Sequence, residues 1–90
     1  MNPNLQYNNE EKILSNFITG RMVISNLKHQ DLSNETGVDL DKVKLIQAGA
    51  VPIDDRDFQT ILEFFNITPN KAEEIIKKNQ LNKEVSIYLI

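Results

Sequence analysis

The stretch Lys28-His29-Gln30-Asp31-Leu32-Ser33-Asn34-Glu35-Thr36-Gly37-Val38-Asp39-Leu40-Asp41-Lys42-Val43-Lys44-Leu45-Ile46-Gln47-Ala48-Gly49 decides the architecture. It predicts two short helices around a sharp turn. The first spans about 29–36, carries Leu32, Ser33 and Thr36 inward and is stopped by Gly37. Asp39 is a natural N-cap for the second, which turns Val43 and Ile46 to one face and ends at Gly49.

Outward from that pair the pattern stays helical. Upstream, Ile13, Leu14, Phe17, Ile18 and Met22 recur at three- and four-residue spacing, the stripe of an amphipathic helix over about 9–25. Asn8 with Glu11 reads as a capping box, and Asn26 as a left-handed stop. Gly20 interrupts this helix at a cost of about 1 kcal/mol relative to Ala. Downstream, Asp54 with Asp57 is expected to cap a helix over about 55–65 bearing Phe58, Ile61, Leu62 and Phe65, closed by Asn66. Thr68-Pro69 pairs an N-cap with a proline at the first helical position. The helix that follows turns Ala72, Ile75 and Ile76 inward and is expected to fray near Asn79. Glu73–Lys77 and Glu74–Lys78 form i,i+4 pairs on its outer face. Val85-Ser86-Ile87-Tyr88-Leu89-Ile90 is β-branched and aromatic, and reads as a short strand that must pack on the helices or pair with another chain.

The organisation expected is therefore all-α: an N-terminal tail (1–8), a five-helix domain (9–79) and an apolar C-terminal extension (80–90). Ninety residues and 10.3 kDa allow one domain with a modest core. A hydrophobic content of 40% with 26% charged residues is ordinary for a globular protein. With no Cys and one His there is no disulfide framework, no thiolate nucleophile and no zinc ligand set. No secretory pattern and no apolar run near 20 residues is present, so the expected location is the cytoplasm. No enzyme signature or cofactor motif occurs, and His29 has no second His or Cys to share a catalytic or metal-binding role. The Asn/Ile/Lys-rich composition points to phage, plasmid or low-GC bacterial origin. The net charge is −3, which runs against the basic balance expected of a nucleic-acid binder. That excess is local: residues 21–49 are neutral, and the acids gather in Asp54-Asp55-Arg56-Asp57.

Two short helices with Gly37 in the connection are the outline of a helix-turn-helix. Residues 17 to about 76 resemble the phage-repressor-like regulators of the lambda-repressor/Cro or xenobiotic-response-element class. Phe17-Ile18, Arg21 and Asn26-Leu27 look like that family's first helix and its Gly-Leu exit, with Asn for Gly. Leu32, Ser33, Gly37 and Val38 match its Leu-Ala … Gly-Val second helix and turn, with Ser for Ala. Val43, Ile46 and Gly49 fall where its recognition helix keeps two buried aliphatics and a terminal Gly. Phe58, Ile61, Leu62, Phe65, Asn66 and Ile67 follow its fourth helix.

The resemblance implies a DNA-binding regulator, a homodimer laying helix 40–48 in successive major grooves. Lys42, Lys44 and Gln47 would then read bases, Asp41 would accept only from cytosine, and Leu40 with Leu45 would meet thymine methyls. Lys28, His29 and Gln30, where the family commonly has Ser-Gln, would anchor phosphates at a helix N-terminus. Val85, Ile87, Tyr88 and Leu89 would supply a dimer or partner interface. Charge reversal at both Lys42 and Lys44 is expected to abolish specific binding and leave thermal stability nearly unchanged. The alternative is a protein-binding modulator or antirepressor that keeps the fold and has lost its DNA face. Its partner would be a regulatory protein, docked on Leu40, Leu45 or the tail. Neither reading involves a membrane or a small-molecule substrate.

Overall fold

In a computed structural model of the protein, residues 4–89 are described, with side chains described over 10–79. Every regular element among them is an α-helix: α1 (Asn4–Ser25), α2 (His29–Thr36), α3 (Leu40–Gln47), α4 (Arg56–Phe64) and α5 (Pro69–Leu89). α1 lies against α3 and α5, while α2 packs on α3 and α4.

The stops are where residues tolerating positive φ stand. Asn26 (φ 56°), Gly37 (φ 78°), Gly49 (φ 75°) and Asn66 (φ 59°) all adopt left-handed backbone. At α1, α3 and α4 the residue after the stop donates its N–H across the last turn: Leu27 to Met22, Ala50 to Leu45 and Ile67 to Leu62, at 2.8–3.0 Å. The α2–α3 turn is closed by side chains as well. Ser33 Oγ donates to the Val38 carbonyl at 2.6 Å, and Thr36 Oγ1 accepts from the Val38 N–H at 3.2 Å. These bonds satisfy backbone groups that a tight turn would otherwise leave unpaired.

The starts of α3, α4 and α5 are capped by side-chain oxygens, with one displacement from expectation. Asp39 accepts from the Asp41 N–H at 3.2 Å, and Thr68 accepts from the Lys71 N–H at 3.2 Å. α4, however, is capped by Asp55, not Asp54: its carboxylate accepts from the Asp57 and Phe58 N–H groups at 2.8 and 3.3 Å. Asp54 stands exposed one residue outside.

Two further expectations are corrected. α1 begins at Asn4, so Asn8 lies inside the helix and forms no capping box with Glu11. Residues 4–9 contain neither Gly nor Pro, so nothing in them halts the helix. Glu11 instead reaches across the fold, its Oε2 accepting from the Ile53 N–H at 3.2 Å. The expected strand at 85–90 is not formed over 85–89, and α5 continues to Leu89. Residues 70–84 contain no Gly or Pro, so each added residue extends the ladder without a new nucleation cost. That outweighs the few tenths of a kcal/mol by which β-branched residues disfavour helix. No neighbouring strand is available among the described residues to pair with.

The core is the sum of the inward faces. Leu14, Ile18, Leu32, Val43, Ile46, Phe58 and Ile61 are fully buried, joined by Met22, Val38, Val51, Leu62, Ile67 and Ala72. Phe17, Ile75 and Ile76 pack half-buried against it. On the outside of α5, Lys77 and Glu73 pair at 3.9 Å in full exposure, a contact worth a few tenths of a kcal/mol.

Two glycines show opposite constraints. A Cβ on Gly49 would stand 3.1 Å from Lys12 Cδ and 3.3 Å from Lys12 Cα, on backbone already left-handed. Gly20 has nothing within 4 Å and ordinary φ. Gly20→Ala is therefore expected to raise stability by about 0.5–1 kcal/mol. Gly49→Ala is expected to lose about 1–2 kcal/mol through left-handed strain alone. Paired urea melts check both signs.

Candidate nucleic-acid interface

α3 is capped by Asp39 at its start and held by α1 at its end. Its last carbonyls are met from α1: Ser15 Oγ, fully buried, donates to the Ile46 carbonyl, and Lys12 Nζ reaches that of Ala48 at 3.4 Å. A cation at a helix C-terminus is favoured by the carbonyl dipoles there. With Val43 and Ile46 in the core, the opposite face carries Asp41, Lys44, Leu45 and Ala48, all exposed. Their spacing of three, one and three residues makes a single stripe.

The residues expected to read bases do not all stand on it. Lys42 is half-buried, its ammonium 3.2 Å from Asp55 Oδ2 and 3.1 Å from Asp57 Oδ2. Gln47 turns back to α1, its Nε2 donating to Thr19 Oγ1 at 2.8 Å and approaching Met22 Sδ at 3.1 Å. Leu40 is half-buried, whereas Leu45 keeps 49% of its surface exposed. Lys44 and Asp41 thus remain as the exposed charges of α3, one of each sign.

The residues expected to anchor phosphates are brought together. Lys28, His29 and Gln30 are exposed at the start of α2. Lys28 and His29 line, with Thr19, Met22, Leu27 and Gln47, an open groove of about 350 Å³ between α1, α2 and α3. Gln30 Nε2 donates to Asn34 Oδ1 at 3.1 Å along its own helix. α2 differs from α3, α4 and α5 at its start. Its N-cap is Lys28, which offers no side-chain oxygen to the first amides. The side chains of Val85, Ile87, Tyr88 and Leu89 lie outside the described residues. Among those described, no three His, Cys, Asp or Glu side chains gather as metal ligands, and no helix is long and apolar enough to cross a membrane.

Sequence reasoning gave the capping of α4 to Asp54 and Asp57 and missed the hold of Asp55 and Asp57 on Lys42. The partners lie 13 and 15 residues apart, so no helical spacing reveals them. The signal available was coarse: an acid excess next in the chain to a lysine pair. Hydrogen bonds donated to Asp57, then Asp55, raise the Lys42 ammonium above its ordinary 10.5. Partial burial works against a charged Asp55. Hydrogen bonds from Lys42 and from the Asp57 and Phe58 N–H groups outweigh it and hold that carboxyl below its ordinary 3.8.

A pH dependence follows with a definite sign. Asp55 is depressed on folding, so its contribution is present above pH 3.8 and lost as pH falls through the lower folded value. Lys42 is raised, so its contribution is present below pH 10.5 and lost as pH climbs through the higher folded value. Asp55→Asn keeps an N-cap oxygen. Its Tm is expected to lie below the natural protein's at neutral pH, with the gap closing below about pH 4. Thermal melts across pH check this, and a gap that persists in acid would contradict it.

No family model, curated protein or solved structure matches this chain.

Proposed function

We propose that the protein is a sequence-specific DNA-binding transcriptional regulator with a lambda-repressor-like helix-turn-helix fold, acting as a dimer with α3 in the major groove. The observation that carries this is the pairing of an outward α3 stripe with an α2 N-terminus headed by exposed Lys28 and His29, whose N-cap side chain supplies no oxygen and whose Lys28 N–H is taken by the Asp31 carboxylate at 2.9 Å. First-turn amides beside Lys28 and His29 suit a backbone phosphate, with the Asp31 carboxylate in the same turn opposing it. The helix that follows the turn then stands where base edges would be. Lys44 donates to guanine or phosphate, and Leu45 with Ala48 offers apolar contact to thymine methyls. Two protomers would address half-sites one helical turn apart.

The test is a salt titration of binding to random-sequence duplex DNA. Two cationic contacts per protomer, Lys28 and Lys44, give a dimer a slope of log K against log salt of about −3 to −4. No measurable binding at low salt would overturn the proposal.

A second reading, a protein-binding modulator, is favoured by a different observation. Val23 and Ile24 at the end of α1 are 74% and 79% exposed, and Leu45 is open as well. In that case the salt titration is flat, and a regulatory protein partner shifts the chain on a sizing column.

A further inference from the structure

Lys42 is the third residue of α3, in the half of the helix that meets base edges and phosphates when such a helix enters a groove. A lysine there would be expected to contact DNA. Here it sits between two carboxylates of the next helix, at 3.2 and 3.1 Å. These are not chance surface contacts. Asp55 is fixed as the cap of α4 by two backbone N–H groups, and Asp57 follows two residues later in the first turn. With Asp54 and Arg56 cancelling beside them, the cluster of Lys42, Asp55 and Asp57 carries a net negative charge. A phosphate approaching Lys42 meets that charge, and taking the ammonium would leave two aspartates unneutralised beside the DNA backbone.

We propose that Asp55 and Asp57 withhold Lys42 from DNA, so that the start of α4 sets a ceiling on the protein's affinity for non-specific duplex. The proposal rests on the DNA-binding reading above and adds its regulation by charge pairing within the fold. Lys44, two residues on and without an ion-pair partner among the described residues, is left as the exposed cation of α3. Discrimination between sequences then depends on few contacts, and loose electrostatic attachment is kept low.

The experiment is the same salt titration on random-sequence duplex, run on the full chain as four proteins: natural, D55N/D57N, K42Q and K42Q/D55N/D57N. Asn caps helices as well as Asp, so D55N/D57N keeps the start of α4; circular dichroism at the titration temperature verifies folding of each. Release of Lys42 is expected to steepen the slope by about 0.9 per protomer, and to tighten binding about tenfold per protomer at low salt. In the triple variant that added slope is expected to vanish, because the gain belongs to the ammonium. A D55N/D57N slope equal to the natural one overturns the proposal. So does a gain that survives in the triple variant, since it would come only from deleting two anions. If the natural protein does not bind duplex at low salt, the DNA-binding reading itself fails. Binding by the natural protein with unchanged slopes removes only the present inference.

Discussion

Phe58→Ala is expected to cost about 3–5 kcal/mol and to lower the urea midpoint sharply. Phe58 is fully buried on α4, in one cluster with Leu14, Ile18, Leu32 and Ile46 from three other helices. Deleting its ring removes the transfer free energy of the largest fully buried side chain. It also leaves a cavity that surrounding aliphatics, fixed on separate helices, fill only in part. A chain of this length has a total stability of about 5–13 kcal/mol, so one substitution takes a large share. Urea unfolding followed by circular dichroism provides the measurement. Phe58→Leu, which retains most of the volume, is expected to lose less than half as much. Equal losses for the two variants would show that the site collapses freely and is not a packed centre.

The positions of such core residues are legible in the sequence because they depend on periodicity, and periodicity is local. The same is true of the stops at Asn26, Gly37, Gly49 and Asn66, where backbone preference is written in one residue. The caps at Asp39 and Thr68 are legible for a similar reason: one oxygen and an amide two or three residues on. Asp54 and Asp55 show the limit. Both have the right chemistry, and only the geometry of the preceding turn decides between them. At the end of the chain, β propensity competes with propagation of a helix already nucleated at Pro69, a competition that a local window does not contain. The candidate interface is less legible still. Lys42 and Gln47 have the side chains of base readers, but their partners come from α4 and α1, up to 28 residues away. A residue type announces what a group can do; which neighbour occupies it is set by tertiary packing.

That difference separates two lysines the sequence treats alike. Reversing Lys42 and Lys44 together is expected from sequence to abolish binding at constant stability, and the structure divides the two effects between them. Lys44→Glu acts on an exposed side chain with no ion-pair partner among the described residues. It removes one cationic contact and sets an anion against the groove, so non-specific and specific binding are each expected to fall about a hundredfold at low salt. Its Tm is expected to stay within about a degree of the natural value, as for most exposed substitutions. Lys42→Glu places a third carboxylate where Asp55 and Asp57 now share one ammonium. Mutual repulsion then opposes the packing of α3 against the start of α4, and Tm is expected to fall clearly below that of Lys44→Glu. On the proposed reading, its direct effect on DNA affinity is expected to be the smaller of the two, because Asp55 and Asp57 already hold the ammonium. Gel-shift and thermal-melt measurements on the two single variants resolve the assignment. If both lose affinity equally while both keep their Tm, Lys42 is not held by α4 in solution. If Lys44→Glu binds duplex as well as the natural protein does, α3 is not the surface that reads DNA.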